Sequence, residues 1–261
     1  MKIHPTAIIH KKTELDETVT VGPYAIIEED VRIKGGTEIR TRAYIASGTR
    51  IGSNCTIHPG AIIGYDPQVR DLKETKSYLE IGDNNILREY VTIHRSMYEG
   101  KATRLGHNNF IMANVHIAHD CQIGSYVTLT NGVALAGHVT VEDKVFISGS
   151  VLVHQFVRIG RLSMIGGAAK VVQDIPPYLL IDGQPARVCG LNVVGLTRAD
   201  ISPEIRTELK KAYKILYQSG LNTSDALEKI AEEIAVSEEL NHFIDFIKNS
   251  ERGIVSERRD K

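Results

Sequence analysis

The sequence has no tryptophan, few aromatic residues (6%) and only three cysteines among its 261 positions. Its net charge of −1 gives it no overall basic character, which argues against nucleic acid as a partner. No apolar run reaches the roughly 18 residues of a membrane-spanning helix, so we expect no membrane insertion. The N-terminal segment lacks the apolar core of a signal peptide, and a cytoplasmic location is therefore expected. Because the cysteines are not clustered, the sequence predicts neither a disulfide framework nor a zinc site.

What the sequence does contain is an aliphatic residue at almost every sixth position from Ile9 to Val171, a series that only Thr75 and Glu99 break. Neither the period of a helix nor the alternation of an ordinary strand has this spacing. A six-residue repeat is typical of a parallel β-helix, in which three hexads form one triangular coil and the coils stack at strand spacing. The series therefore predicts an all-β prism of about nine coils whose interior holds these aliphatic side chains.

Two polar segments interrupt the series, near residues 64–80 and 96–104. Insertions in a solenoid leave from one corner and often build a binding face, although either segment can also be a plain surface loop. We predict a β-helix domain over residues 1–190 and an exit segment with a helical domain over residues 191–261. The aliphatic series stops near Val171, and residues 171–198 are expected to be an extended exit segment interrupted by proline and glycine.

The apolar period becomes helical after Ser202, which can cap a helix whose first residue is Pro203. Further helices are predicted to begin near Thr223 or Ser224 and near Ser237, which gives a small C-terminal α-helical cap. The first of these helices carries four basic residues, which form either a solvated face or a docking patch for an acidic partner. These residues are Arg206, Lys210, Lys211 and Lys214.

Several histidines fall in neighbouring columns of the predicted prism. Because one coil of three hexads holds roughly 18 residues, His119 is followed one coil later by Gly137 and two coils later by Gln155. In the same way Asp120 is followed by His138. We expect one edge of the prism to hold His116, His119, Asp120, Gly137, His138, His154 and Gln155.

An acid–base side chain, an adjacent carboxylate and a glycine amide in one column are the parts that acyl transfer needs. The imidazole removes a proton from an attacking hydroxyl, and the backbone N–H stabilises the tetrahedral oxyanion. No serine or cysteine falls in these columns, which favours direct transfer over an acyl-enzyme. Two other interpretations stay open: the histidines ligate zinc, as in a hexapeptide-type carbonic anhydrase, or they are surface residues of a non-catalytic scaffold.

The chain resembles a known family at the motifs HIAHDC (116–121), LAGHV (135–139), VHQF (153–156) and QDIPPY (173–178), and at VGL with Arg198. Over its whole length it is similar to the UDP-N-acetylglucosamine O-acyltransferases of lipid A biosynthesis. The resemblance implies a left-handed β-helix with a helical cap, assembled as a homotrimer and using no metal or cofactor. It also implies transfer of an (R)-3-hydroxyacyl group from acyl carrier protein to the 3-position of UDP-N-acetylglucosamine, the first step of lipid A synthesis.

The same resemblance implies roles for individual residues. His119 matches the catalytic base, Asp120 the residue that orients it, and Gly137 the oxyanion amide. Met164 and Gly167 match the end of the groove for the acyl chain. Positions that match substrate-binding residues are Gln68, Asp71, Lys73, His116, His138, His154, Gln155, Asn192 and Arg198.

The chain departs from the family pattern in two places. Members read Pro-Gln-Asp-Leu-Lys in the first insertion, whereas here two residues separate Gln68 from Asp71, and Lys73 is equally late. Either the loop bulges to deliver these side chains or the sugar contacts differ, so the acceptor can be the 3-hydroxyl of the sugar or the 3-amino group of an analogue. Members also commonly have two consecutive arginines where this chain has Arg198 followed by Ala199.

Overall fold

The computed structural model describes residues 2–257 and shows a triangular prism of short parallel strands followed by four helices. Most strands have two residues, because each hexad supplies one extended pair and then turns a corner. In each pair the second residue belongs to the aliphatic series and points inward, while the first points outward. The ladder residues are nearly all buried, and burial of one such side chain contributes about 1.5–3 kcal/mol.

Face 1 of the prism is an 11-stranded sheet whose last two strands form an antiparallel hairpin. In spatial order its strands are β1 (Lys2–Ile3), β4 (Thr20–Val21), β7 (Glu38–Ile39), β10 (Thr56–Ile57), β13 (Ile86–Leu87), β16 (Phe110–Ile111), β19 (Thr128–Leu129), β22 (Phe146–Ile147), β25 (Met164–Ile165), β27 (Leu179–Asp182) and β28 (Arg187–Leu191).

Faces 2 and 3 are parallel sheets of 9 and 8 strands. Face 2 contains β2 (Ile8–Ile9), β5 (Ile26–Ile27), β8 (Tyr44–Ile45), β11 (Ile62–Tyr65), β14 (Thr92–His94), β17 (His116–Ile117), β20 (Ala134–Leu135), β23 (Leu152–Val153) and β26 (Lys170–Val171). Face 3 contains β3 (Glu14–Leu15), β6 (Arg32–Ile33), β9 (Thr49–Ile51), β12 (Tyr78–Ile81), β15 (Ala102–Leu105), β18 (Gln122–Ile123), β21 (Thr140–Val141) and β24 (Arg158–Ile159).

The chain visits the three faces in turn and forms a left-handed parallel β-helix, as predicted. The strands of face 2 mark nine coils, the expected number. We name the turns between faces the 1–2, 2–3 and 3–1 corners. Both insertions leave the prism at the 2–3 corner, between β11 and β12 and between β14 and β15, which confirms that they share one corner.

The C-terminal cap contains α1 (Val193–Arg198), α2 (Pro203–Gln218), α3 (Thr223–Glu233) and α4 (Glu238–Lys248). Ser202 caps α2 and Ser237 caps α4, as predicted, while Asn222 caps α3. The expectation of an extended exit segment is wrong in part. That segment contains the β27–β28 hairpin and α1, whose six residues are too few to show a helical period.

Polar side chains fasten the cap to the last coils of the prism. His242 Nε2 lies 2.7 Å from Glu142 Oε2, and the Arg158 guanidinium stacks 4.2 Å from the ring centre of Phe246. Among residues 2–257 no helix is long and apolar enough to cross a membrane. The proposed division of the chain after residue 190 stays a prediction, and residues 258–261 of its second part lie outside the described residues.

Candidate active site

The predicted site residues fall into two groups on different faces of the prism. The first group lines a cleft of about 390 Å³ along face 2 and the 2–3 corner. The second lines a cavity of about 430 Å³ between face 1 and α1. The cleft includes Gln68, His94, His116, His119 and Gly137 in its wall, and the cavity includes Met164, Asn192 and Arg198.

His119 and Asp120 form a hydrogen-bonded pair at the 2–3 corner, directly after β17. His119 Nδ1 lies 2.8 Å from Asp120 Oδ2, and the two side chains are 16% and 9% exposed. Asp120 adopts φ 61°, a left-handed conformation that lets the chain turn here. An ionised carboxylate only accepts hydrogen bonds, so Nδ1 carries the proton and Nε2 keeps a free lone pair. The pair therefore has the arrangement of a general base held in one tautomer.

The second insertion holds this pair, which the sequence analysis missed. Ser96 Oγ and the N–H of Met97 both donate to the Asp120 carboxylate. The expectation that no serine lies in these columns was wrong, because the coil interrupted by the insertion is longer than 18 residues. The register of β14 against β17 pairs Thr92 with His116, a step of 24, and this step places Ser96 beside Asp120.

Gly137 lies one coil above His119, and the imidazole packs directly on it. A β-carbon at residue 137 would lie 2.7 Å from Cε1 and 2.8 Å from Nε2 of His119, so only glycine leaves room for the ring. Among residues 2–257 no acceptor is placed to receive the Gly137 N–H. A free backbone donor beside a general base is the arrangement that stabilises an oxyanion during acyl transfer.

Two further histidines line the cleft, and in each of them the ring nitrogen Nδ1 is held by a hydrogen bond. His94 Nδ1 lies 2.6 Å from the Asp66 carbonyl and must donate to it, while the buried Nε2 has no partner within the described chain. His116 Nδ1 pairs with Thr92 Oγ1 at 2.8 Å. Burial lowers the pKa of both histidines below the ordinary value, so both are neutral near pH 7. His94 was absent from the sequence-based site, although it directly follows a ladder residue.

His138 lies between His119 and an aromatic side chain of the next coil. Its ring stacks on Phe156 at 4.5 Å between centres and meets the His119 ring edge-on at 5.2 Å. Burial lowers the pKa of His138, while the nearby Asp120 charge opposes that shift. His119, Asp120 and His138 each offer one ligand atom within a span of 4.8 Å, the one such group of histidine, cysteine or acidic residues in the described part of the chain.

Other predicted contacts lie at the edge of this group or apart from it. His154 and Gln155 are exposed one coil above Gly137, where Arg252 Nη2 comes within 3.3 Å of His154 Nδ1. Arg252 carries no signal in the sequence pattern, because it follows the last helix.

The first insertion takes up its two extra residues in a turn. Arg70 and Asp71 form that turn, with Asp71 at φ 60°, and both Asp71 and Lys73 are exposed. Gln68 reaches the cleft, but no hydrogen bond or ion pair found in residues 2–257 joins Asp71 or Lys73 to the histidines.

The second group belongs to face 1 and the exit segment. Met164 points outward from β25, and Arg198 is exposed in the last turn of α1. The Asn192 side chain caps α1 by accepting from the N–H of Gly195 at 3.0 Å and donates to the Leu162 carbonyl at 2.7 Å.

Gly167 lies three residues beyond Met164, at the exposed 1–2 corner and outside the lining of the cavity. A β-carbon there would meet only the Gly149 carbonyl, at 3.6 Å.

Comparisons with known proteins agree with this geometry. A family model described as UDP-N-acetylglucosamine O-acyltransferase, domain 2, matches residues 174–255, and the bacterial transferase hexapeptide model matches residues 102–137. A curated O-acyltransferase for UDP-N-acetylglucosamine from Thermodesulfovibrio yellowstonii is 48% identical, with 97% of this chain and 98% of the relative covered. Its counterpart from Syntrophobacter fumaroxidans is 43% identical, with 98% and 100% covered.

Solved structures give the same result. The UDP-N-acetylglucosamine acyltransferase of Bacteroides fragilis superposes with a TM-score of 0.90 at 42% identity, covering 97% of this chain and 99% of that one. That of Moraxella catarrhalis superposes with a TM-score of 0.93 at 40% identity, covering 98% and 100%. Since several relatives above 40% identity match almost the full chain, this protein belongs to the UDP-N-acetylglucosamine O-acyltransferase family.

Proposed function

We propose that the protein transfers an (R)-3-hydroxyacyl group from acyl carrier protein to the 3-position of UDP-N-acetylglucosamine, the first step of lipid A biosynthesis. The observation that carries this proposal is the His119–Asp120 pair, at 2.8 Å, lying on the free N–H of Gly137. The curated relatives bear the name of this activity and are similar to the chain over nearly its whole length.

The geometry supports direct transfer in one addition and one elimination. His119 Nε2 takes the proton of the sugar hydroxyl as its oxygen attacks the thioester carbon, and the Gly137 N–H receives the developing oxyanion. When the tetrahedral intermediate collapses, the carbon–sulfur bond breaks and the thiolate takes the proton from His119. Asp120 keeps the ring in the Nδ1–H tautomer throughout, so Nε2 is the atom that both accepts and returns the proton.

The remaining residues of the cleft are suited to hold a sugar. The lone pair of His94 Nε2 accepts a donor, and the Gln68 amide can give or take a hydrogen bond. His116 and His138 complete the wall, and His154 and Gln155 extend it upward. Asp71 and Lys73 are both exposed in the structure. They would contact the sugar only if the loop of the first insertion moved towards the cleft.

We infer a homotrimer from the separation of the two groups of site residues. The cleft lies on face 2 and the cavity on face 1, so one copy cannot bring them together. Both faces diverge from the 1–2 corner, and three copies that place this corner on a common axis set face 2 of each copy opposite face 1 of the next. Large apolar side chains exposed on these faces support such contacts: Ile8 (64%), Ile62 (39%) and Leu152 (56%) on face 2, and Ile86 (40%) and Phe146 (40%) on face 1.

Face 3 differs from the other two faces. Its outward positions include the ion pairs Glu14–Arg32 and Glu80–Arg104. None of the large apolar side chains exposed in residues 2–257 lies on its strands, which is the composition of a face turned to solvent. In the assembled trimer Met164 and Gly167 then line the groove for the acyl chain, and Asn192 and Arg198 bind the nucleotide or pantetheine portion.

The cap supplies a surface for the acyl donor. Lys210, Lys211 and Lys214 are exposed on α2, and Arg206 Nη1 bonds Thr197 Oγ1 on α1. This basic surface continues to Arg198 at the cavity, so an acidic carrier protein can dock with its pantetheine arm directed inward.

The test is a turnover assay with an (R)-3-hydroxyacyl carrier protein and two acceptors, UDP-N-acetylglucosamine and its 3-amino analogue. We expect the hydroxyl sugar to react faster, with loss of both activities in His119→Ala. Faster reaction of the 3-amino analogue would instead mean that the altered first insertion selects the amino sugar as the acceptor. No transfer to either acceptor would overturn the proposal.

A metal-dependent hydratase is the second candidate, because His119, Asp120 and His138 offer ligand atoms within 4.8 Å of one another. The structure favours it less, since Ser96, Met97 and His119 already bond the Asp120 carboxylate. Stoichiometric zinc in the purified protein, with carbon dioxide hydration abolished by a chelator, would support the hydratase. Full acyl transfer by metal-free protein would exclude a metal requirement.

A further inference from the structure

The second insertion, residues 96–104, holds Asp120 from both of its ends. At the start, Ser96 Oγ donates to Asp120 Oδ1 at 2.5 Å and the N–H of Met97 donates to Oδ2 at 3.2 Å. Near the end, Thr103 Oγ1 accepts from the N–H of Asp120 at 2.7 Å. Ser96 and Thr103 are 0% and 1% exposed, so water does not compete for either hydroxyl.

The hydroxyl of Ser96 has one possible orientation. Its single proton goes to Asp120, because an ionised carboxylate cannot donate, and its oxygen accepts from the N–H of Tyr98 at 3.0 Å. The backbone of the same residue is fixed as well: its carbonyl accepts from Ser77 Oγ at 2.5 Å and its N–H donates to the Tyr78 carbonyl at 3.2 Å. Ser96 is thus a preset donor aimed at one carboxylate oxygen.

The carboxylate of Asp120 is therefore held at both oxygens. Oδ1 receives Ser96, and Oδ2 receives both Met97 and His119 Nδ1. A carboxylate bound on one oxygen alone can rotate about its last side-chain bond, and the imidazole would turn with it. With both oxygens bound, the His119 ring stays on Gly137, where a small displacement of Nε2 would remove it from the reacting hydroxyl.

We propose that Ser96 is a positioning residue for the acyl transfer, and that the second insertion exists in this chain to fix the carboxylate that orients the base. The inference rests on the proposed function, because it concerns the same His119–Asp120 pair. Ser96 itself is too deeply buried to attack a thioester, so its effect passes through Asp120.

The Ser96 donor also sets how strongly Asp120 acts on the base. A hydrogen bond to the charged carboxylate disperses part of its negative charge. When that bond is removed, more negative charge stays on the carboxylate oxygens beside the His119 imidazole. The acidic limb of the pH–rate profile then moves to higher pH, a change that a general loosening of the loop would not produce.

The experiment compares Ser96→Ala with Thr37→Val in the full-length protein. Both substitutions remove a buried hydroxyl that donates one hydrogen bond and accepts one from a backbone N–H. Thr37 Oγ1 lies at the 3–1 corner, where it donates to the Gly52 carbonyl and accepts from the N–H of Cys55. For Ser96→Ala we expect kcat to fall about tenfold with both KM values within about twofold, as for a positioned group displaced by part of an ångström. We also expect its acidic limb to move upward by a few tenths of a pH unit.

Thr37→Val should keep the wild-type kcat and pH profile while losing a similar amount of thermal stability. An unchanged kcat and pH profile in folded Ser96→Ala would overturn the proposal, and so would equal effects in the two variants. If Ser96→Ala does not fold, Ser96→Cys replaces the hydroxyl by a weaker donor of similar volume and should show the same changes at smaller size. If His119→Ala retains wild-type turnover, the proposed function itself fails, which is a separate result.

Discussion

The 2–3 and 3–1 corners of the prism have the same backbone turn but differ in hydrogen bonding beside Gly137. At the 3–1 corner four backbone N–H groups each donate a hydrogen bond to a side chain of the next coil. These bonds are Ser53 N–H to Asp83 Oδ1 (2.7 Å), Asp83 N–H to His107 Nδ1 (2.9 Å), His107 N–H to Ser125 Oγ (3.0 Å) and Ser125 N–H to Asp143 Oδ1 (2.7 Å). At the 2–3 corner the equivalent N–H of Gly137 finds no acceptor within the described residues, and His119 lies on it.

The difference shows how a repeat can hold the proposed catalytic site without losing its structure. In a solenoid each coil contacts only its neighbours, so stability is spread along the stack. The filled 3–1 corner and the aliphatic interior hold the coils together, and this leaves the 2–3 corner able to keep a donor unpaired. An unpaired donor is costly for folding but is what an oxyanion requires.

The largest effect is expected when the histidines at equivalent positions of the two corners, His119 and His107, are each replaced by alanine. His119→Ala should lower kcat/KM by about 10²–10⁴-fold, the usual contribution of a general base, and leave the melting temperature unchanged. His107→Ala should do the reverse: it removes the acceptor for the N–H of Asp83 and lowers the free energy of unfolding by about 0.5–1.5 kcal/mol, with turnover intact. Steady-state kinetics and thermal melts of both variants measure these effects. Equal loss of turnover in the two variants would contradict the assignment of a catalytic role to His119 and a structural role to His107.

A second test adds a single carbon to the 2–3 corner at residue 137. The β-carbon of Gly137→Ala would push the His119 ring aside, and we expect kcat to fall about 10²-fold, because displacement of a catalytic group by about 1 Å costs that much. The same substitution should also lower the melting temperature, since ring and β-carbon collide. In the His119→Ala background the collision is absent, so Gly137→Ala should no longer affect stability. A melting temperature lowered equally in both backgrounds would show that the ring is not what excludes a side chain.

The third test concerns the pH dependence of stability and the two buried imidazoles of the cleft, those of His94 and His116. Burial lowers the pKa of His94 and His116 below the ordinary histidine value of 6.5, so in mild acid the unfolded chain takes up protons that the folded chain does not. Their contribution to stability is full above pH 6.5 and is lost as the pH falls towards the lowered folded values. We expect the melting temperature of the wild type to fall by about 2–4 °C more than that of His94→Phe between neutral and mildly acid pH. Parallel pH profiles would exclude His94 as a source of this dependence.

The smallest effect is expected at the filled corner. Asp143→Ala removes the acceptor of the Ser125 N–H and should lower the free energy of unfolding by about 1 kcal/mol, while Asp143→Asn keeps an acceptor oxygen and should change it by less than about 0.5 kcal/mol. Urea unfolding distinguishes the two variants. Similar losses in both would mean that the charge of Asp143, rather than its hydrogen bond, supports the corner.

Sequence reasoning found those features that follow the repeat. The aliphatic series predicted the coils, and one-coil steps predicted that His119, Gly137 and His138 share a corner, which the structure shows. The helix start at Ser202 followed from capping chemistry, which is local to a few residues, and the start near Ser237 followed from the apolar period.

It missed those features that depend on an irregular coil or on a short element. Ser96 was missed because an insertion lengthens its coil to 24 residues, and the fixed step of 18 then points to the wrong partner. His94 was missed because its hydrogen bond to the Asp66 carbonyl depends on the path of the first insertion. Helix α1 has too few residues for a period to be visible.

The sequence by itself predicted the prism and the shared corner of the proposed catalytic residues, because a period of six, carried by side chains that must leave water, is typical of coils of three hexads. Only the tertiary structure decided which polar groups are paired and which stay free, since hydrogen bonds across coils depend on where two irregular insertions run. It also decided that the half-sites lie on separate faces, with His119 on one and Met164 on another. That separation comes from closing the chain into a triangle, which places neighbours in the sequence on different sides of the molecule.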